Sequence, residues 1–171
     1  MFADELAIRR DAVVDHWVTS VIDAYPDQTA SFLKEQPDRF ANPVGTSLRE
    51  GLAEIFDGLV AGVDPGDLQP ALDLVIRVRA VQEITPAGAV GFIFDLKKIV
   101  RDEFGESFDV PEDFDRTIDR LGLTAFEVYM KCREQLWSIR AEEIRKQSLG
   151  ILERMQAWRE QRARESETAS S

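Results

Sequence analysis

From Leu123 to Arg164 the chain runs for 42 residues without a proline, and only Gly150 interrupts a series of good helix formers. At about 1.5 Å per residue this is a helix of roughly 63 Å, about twice the diameter of a small domain. It is therefore expected to project beyond the body formed by the rest of the chain. No window approaches the roughly 18 uninterrupted apolar residues of a membrane span, so the length points to a coiled-coil type of helix. Trp137, Ile144, Ile151 and Trp158 fall seven apart, and Ala141, Ser148 and Met155 follow the first three by four residues, which draws a two-position heptad seam. Small residues alternating with Trp and Ile allow close approach of a partner helix. The expected outcome is a homodimer through parallel or antiparallel C-terminal helices; the alternative is that the stretch folds back on its own domain.

The remaining segments read with a helical period. Leu6, Val13, Val14, Trp17, Val18, Val21 and Ile22 draw one stripe down a first helix that ends near Tyr25-Pro26. Asp27 caps a short helix to Gln36, closed by Pro37. Asn42-Pro43 opens the next in the order of a capping side chain followed by a proline, and its stripe runs from Val44 through Leu59 to a stop at Gly62. Val63-Asp64-Pro65-Gly66-Asp67 is a loop, and an apolar helix is expected from about Leu68 to Ile84. Thr85-Pro86 repeats the cap-and-proline signature before a helix from Ala87 to Phe104, stopped by Gly105. A short link at Ser107–Val110 leads to Pro111, where the last helical pattern begins, with Gly122 its one weak point at about 1 kcal/mol relative to Ala. The reading is an all-α bundle of about six to seven helices. It comprises a body at 1–122, a continuous long helix at 123–164 and a disordered tail at 165–171.

Charge and residue counts narrow the chemistry. The chain holds 21 basic and 32 acidic residues, a net charge of −11, which argues against a nucleic-acid surface. The balance is uneven: residues 1–130 hold 12 basic and 25 acidic groups, whereas 131–164 hold 9 and 5. One histidine, His16, and one cysteine, Cys132, cannot form a Cys/His zinc cluster or an intrachain disulfide. His16 lies off the apolar stripe and reads as a half-exposed surface residue. No Glu-x-x-His occurs, which removes the di-iron pattern of helical bundles. Gly58-Leu59-Val60-Ala61-Gly62 lacks the lysine and preceding strand of a phosphate loop. No catalytic residue, metal or cofactor is expected, and the acidic N-terminus has no signal-peptide character, so the expected compartment is the cytoplasm.

Arg77 and Arg79 stand out because they sit within the most apolar helix, where a cation must be paired, snorkelled or used. Asp73, four residues before Arg77, can pair with it across one turn. A second reading makes the space between helices 68–84 and 86–104 a pocket in which Arg77 or Arg79 meets the acidic head group of a fatty-acid-like or anionic small molecule.

An ordered series of motifs carries a resemblance. It consists of Ser31-Phe32-Leu33-Lys34, Phe40-Ala41-Asn42-Pro43-Val44-Gly45, Arg77-Val78-Arg79-Ala80-Val81-Gln82-Glu83, Thr85-Pro86-Ala87-Gly88-Ala89-Val90-Gly91-Phe92 and Leu96-Lys97-Lys98. Over about residues 5–145 the chain resembles the RsbRD-type N-terminal domain of the co-antagonists of the stress-response kinase RsbT. Such domains are similar to the non-haem sensor globins of stressosome proteins. The resemblance implies a globin-like, dimeric, bacterial sensory module whose last helix passes a signal outward, with no catalytic residues. The only histidine is in the first helix, away from where a globin takes its haem ligand. No STAS or kinase output follows the long helix, so the chain is expected to regulate a protein partner by binding, through the basic helix at 131–164.

Overall fold

A computed structural model describes residues 2–81, 85–105 and 108–168. Among these every regular element is helical: α1 (Phe2–Ile8), α2 (Arg10–Asp23), α3 (Asp27–Glu35), α4 (Pro43–Val60), a 3-10 turn (Pro65–Leu68), α5 (Gln69–Ala80), α6 (Pro86–Phe104) and α7 (Glu112–Thr168). The chain divides into two units, Met1–Cys132 and Arg133–Ser171.

The first unit is built around side chains from every helix it contains. Trp17, Phe56, Leu48, Leu52, Ile55, Leu72, Ile76, Ile93, Leu96 and Ile118 are fully enclosed. Trp17 ties α2 to α6, because its indole Nε1 donates to the Phe92 carbonyl at 2.7 Å and its ring lies 6.0 Å from that of Phe92. Buried indole N–H groups require such a partner. α4 and α5 approach closely at Gly51, where a Cβ would stand 2.7 Å from Val75 Cγ2 and 3.1 Å from the Ala71 carbonyl. Phe2, Phe104, Phe108 and Phe114 form an aromatic cluster, with Phe2 and Phe114 edge to face at 5.0 Å.

The two motifs in which a cap precedes proline have the same construction. Asn42 Oδ1 accepts from Gly45 N at 2.8 Å and Thr85 Oγ1 accepts from Gly88 N at 3.1 Å, each serving an orphan N–H of the first turn. A Cβ at residue 45 would collide with the Asn42 carboxamide, which accounts for Asn-Pro-Val-Gly as a unit. Asn42 also donates through Nδ2 to the carbonyls of Leu33 and Gln36, both at 3.0 Å. Leu33 would ordinarily receive the N–H of residue 37, but Pro37 has none. One buried amide thus closes α3 and opens α4.

Several boundaries differ from expectation. The first stripe is split into α1 and α2 at Arg9, whose φ of −97° and ψ of 10° leave the helical region. The Arg9 guanidinium donates to the Glu103 carbonyl and lies 4.6 Å over the Phe104 ring, so a long-range attachment to the end of α6 accompanies the bend. Pro26, not Asp27, is the N-cap of α3, with Asp27 inside its first turn. The expected start of α5 at Leu68 is taken by the 3-10 turn, and Gln82, Glu83 and Ile84, its expected end, lie outside the described residues, as does Ser107 of the link. Gly62 and Gly105 end α4 and α6 with φ of 73° and 83°, the left-handed region that glycine enters without a Cβ penalty.

α7 runs unbroken through Gly122, and the Phe94 ring lies where a Cβ at this position would be, so close packing against Phe94 requires the glycine. α7 enters the core through Ile118, Leu121, Ala125, Val128, Tyr129 and Cys132, so the first unit extends past the expected boundary at 122. At its other end α7 continues through Glu165 to Thr168, into the stretch expected to be a disordered tail, while 169–171 lie outside the described residues. Neither proline nor glycine follows Gly150, and Gln161 Nε2 bonds Glu165 Oε1 across one turn at 3.1 Å.

Candidate functional site

Arg77 and Arg79, two residues apart, emerge on different faces of α5 because successive side chains are about 100° apart around a helix. Arg77 Nε meets Asp73 Oδ2 at 2.5 Å on a largely exposed face. Asp73 accepts from there and also lies 3.7 Å through Oδ1 from the thiol of buried Cys132 on α7. Burial, with Asp73 adding to it, pushes the Cys132 thiol above its ordinary value, the opposite of what a nucleophilic cysteine needs.

Arg79 is 3 % exposed. Its Nη2 donates to the Gly88 carbonyl at 2.8 Å and its Nε to the Ala89 carbonyl at 3.2 Å, both in the first turn of α6. The guanidinium carbon lies 5.4 Å from the Phe92 ring centre. No carboxylate is hydrogen-bonded to it among the described residues, and burial draws its pKa downward against weaker support from Tyr25 and Asp95. Nη1 has no hydrogen-bond partner there, and neither does the hydroxyl of Tyr25, the residue that follows α2 by two positions. Of the three residues singled out from the sequence, Arg77 and Asp73 come together and Arg79 stands apart from them. Tyr25 was not singled out; its place seven residues after Val18, on the buried stripe of α2, is the signal that marks it as inward-facing.

The seam of α7 belongs to the second unit. Trp137 is 63 % exposed, Ile144 64 %, Ile151 51 %, Met155 49 % and Trp158 57 %, and Ala141 and Ser148 are exposed as well. Ser148 Oγ donates back to the Ile144 carbonyl at 2.9 Å, which leaves its methylene side free to face an apolar neighbour. Arg162 lies 4.9 Å over the Trp158 ring. Ile139, Leu149 and Leu152 are also exposed on this segment, beyond the seven residues of the seam.

His16 sits on the surface with Nδ1 3.1 Å from Glu103 Oε1. Among the described residues no group of three His, Cys, Asp or Glu side chains could hold a metal ion, and no helix is long and apolar enough to cross a membrane. Open clefts lie elsewhere on the first unit. One of about 550 Å³ is lined by Phe94, Lys97, Lys98, Arg101, Asp102 and Phe108, and there Lys97 is already paired with Asp119 at 2.6 Å and Arg101 with Asp115 at 2.5 Å.

Comparison with known proteins identifies the family of the chain. An uncharacterised protein of Archaeoglobus fulgidus is 27% identical over 139 residues, spanning 78% of this chain and 83% of the relative. No solved structure matches. The model of the RsbT co-antagonist protein rsbRD N-terminal domain matches residues 11–144, a span that takes in the Asn42 and Thr85 caps, the Asp73–Arg77 pair and buried Arg79. The chain therefore belongs to the RsbT co-antagonist protein rsbRD N-terminal domain family.

Proposed function

We propose that this chain is a non-enzymatic sensory module that works in the cytoplasm as a homodimer and regulates a protein partner by contact. Membership of the rsbRD N-terminal domain family supports a sensory or regulatory role. The observation that carries the dimer is the seam of α7: five large apolar side chains, each about half exposed or more, recur with a heptad period on one helix. Exposure of this kind is expected to be relieved by an identical helix, which presents the same seam. The excess of basic residues along 131–164 suits an acidic partner surface, and a switch kinase of the RsbT kind, or a stressosome-like assembly, is the proposed class of target. The first unit is read as globin-like and without haem. Light scattering of the purified protein should give twice the monomer mass, and Ile144→Asp with Ile151→Asp should return it to one while the helical content stays. A monomer at high concentration, or an unchanged dimer in the double variant, would overturn this reading.

A second reading, that the first unit receives a small acidic ligand between α5 and α6, is favoured by Arg79. Arg77 is held by Asp73 on an exposed face, whereas Arg79 is a buried cation with no hydrogen-bonded counter-charge among the described residues.

A further inference from the structure

An arginine side chain carries five N–H donors and no acceptor. For Arg79 the α6 carbonyls of Gly88 and Ala89 take up Nη2 and Nε, and Nη1 is left over. Beside it, within reach of a side-chain hydrogen bond to the guanidinium, is the Tyr25 hydroxyl, which in this geometry completes no bond among the described residues. Both atoms expose less than 1 Å² to solvent, so bulk water does not serve them. Turning Nη1 toward the Tyr25 oxygen would satisfy that oxygen as an acceptor. The phenolic proton and the second Nη1 proton would still lack acceptors.

The surplus is thus one of donors, and it accompanies a positive charge. A water molecule can accept hydrogen bonds but leaves the charge uncompensated. An oxyanion does both, and hydrogen bonds between charged donor and charged acceptor are about twice as strong as neutral ones. Asp95 is the carboxylate whose field reaches Arg79, but it is exposed and makes no hydrogen bond to it. Two aromatic rings border the group, with Phe92 against the guanidinium and Trp17 against Phe92.

We propose that Arg79 Nη1 and Tyr25 Oη together receive the carboxylate head of a small acidic ligand at the meeting of α2, α5 and α6. This rests on the second reading above and assigns its recognition residues. Tyr25 brings the end of α2 into the site, so ligand binding would couple α2 to the α5–α6 pair, which already meet through the Arg79 bonds.

The test titrates sodium acetate and sodium decanoate, at constant ionic strength, into the full chain and into Tyr25→Phe and Arg79→Lys variants, read by calorimetry. Binding of both probes shows that the head group suffices, and binding of decanoate alone shows that an apolar tail is also needed; either supports the site if the variants respond. Tyr25→Phe should raise Kd about tenfold, the effect of one hydrogen bond to a charged group, and Arg79→Lys should abolish binding. If Arg79→Lys does not fold, Tyr25→Phe decides. Without ligand, the melting temperature of Tyr25→Phe should stay within a few degrees of the parent's or exceed it, since the phenolic proton it removes has no acceptor among the described residues; a larger drop would overturn the proposal. Binding by the parent with Kd unchanged in both variants would overturn the site and leave the ligand reading standing, and no binding of either probe by the parent would overturn both.

Discussion

Replacing Asn42 by alanine removes three hydrogen bonds from one buried side chain, and their separate environments allow the loss to be worked out. The bond from Gly45 N to Oδ1 is an N-cap, whose removal costs about 1 kcal/mol. The two bonds from Nδ2 serve the Leu33 and Gln36 carbonyls. With residue 37 a proline, the Leu33 carbonyl keeps no helical donor, and an unsatisfied buried acceptor costs about 1–3 kcal/mol. The sum is about 2–4 kcal/mol, which in a chain of 171 residues lowers the melting temperature by roughly 5–15 °C. Urea unfolding followed by helical circular dichroism measures it, as a shifted midpoint at unchanged slope. Asn42→Asp separates the halves: it keeps the acceptor for Gly45 N but turns a carboxylate oxygen toward two carbonyls, so it should be destabilised at least as much as Asn42→Ala. Thr85→Ala, which removes a solvent-exposed cap alone, should cost about 1 kcal/mol. A cost below about 0.5 kcal/mol for Asn42→Ala, or a neutral Asn42→Asp, would refute the assignment of the amide as the clasp between α3 and α4.

Gly51→Ala should destabilise by about 1–2 kcal/mol, because overpacking against Val75 and the fixed Ala71 carbonyl outweighs the gain in helix propensity; Gly91→Ala, where a Cβ meets nothing within 4 Å, should stabilise by about 0.5–1 kcal/mol. Paired denaturation curves of opposite sign would bear this out, and two shifts of the same sign would not. The Asp64 carboxyl is held below the usual carboxylate range by the N–H of Gly66, at 2.9 Å, and then by Arg120. A carboxylate depressed in the fold contributes stability above its unfolded value, near pH 4, and loses it as pH falls through the folded value. Asp64→Asn should therefore flatten the stability profile below about pH 4 and leave its slope near neutrality unchanged; an unaltered acid limb would refute the pairing.

Much of the helical punctuation was legible. Asn42-Pro43, Thr85-Pro86, Gly62 and Gly105 act within one turn of their own positions, so a linear reading finds them. What was less legible depended on residues far apart in the chain. Arg9 leaves the helical region where it reaches the end of α6, and Gly122, locally a weak point, is a packing requirement because Phe94 covers it. Arg77 and Arg79 lie in one apolar segment, and nothing local to it separates their roles. Their different fates follow from which face of α5 meets α6, and that depends on Gly88 and Ala89 lying opposite.

By itself the sequence determined that this chain is helical, that its last helix is very long with a seven-residue apolar seam, and that it lacks the histidines and cysteines of most metal chemistry. These are matters of composition and of periods that repeat within a few residues. Only the tertiary structure decided that α7 enters the core as far as Cys132, that Asn42 clasps two helices, and that Tyr25 and Arg79 bring to one buried place more donors than the described residues have acceptors for. The physical reason is that burial and hydrogen-bond satisfaction are properties of pairs of distant segments, set by which faces pack together, and no local propensity specifies the partner.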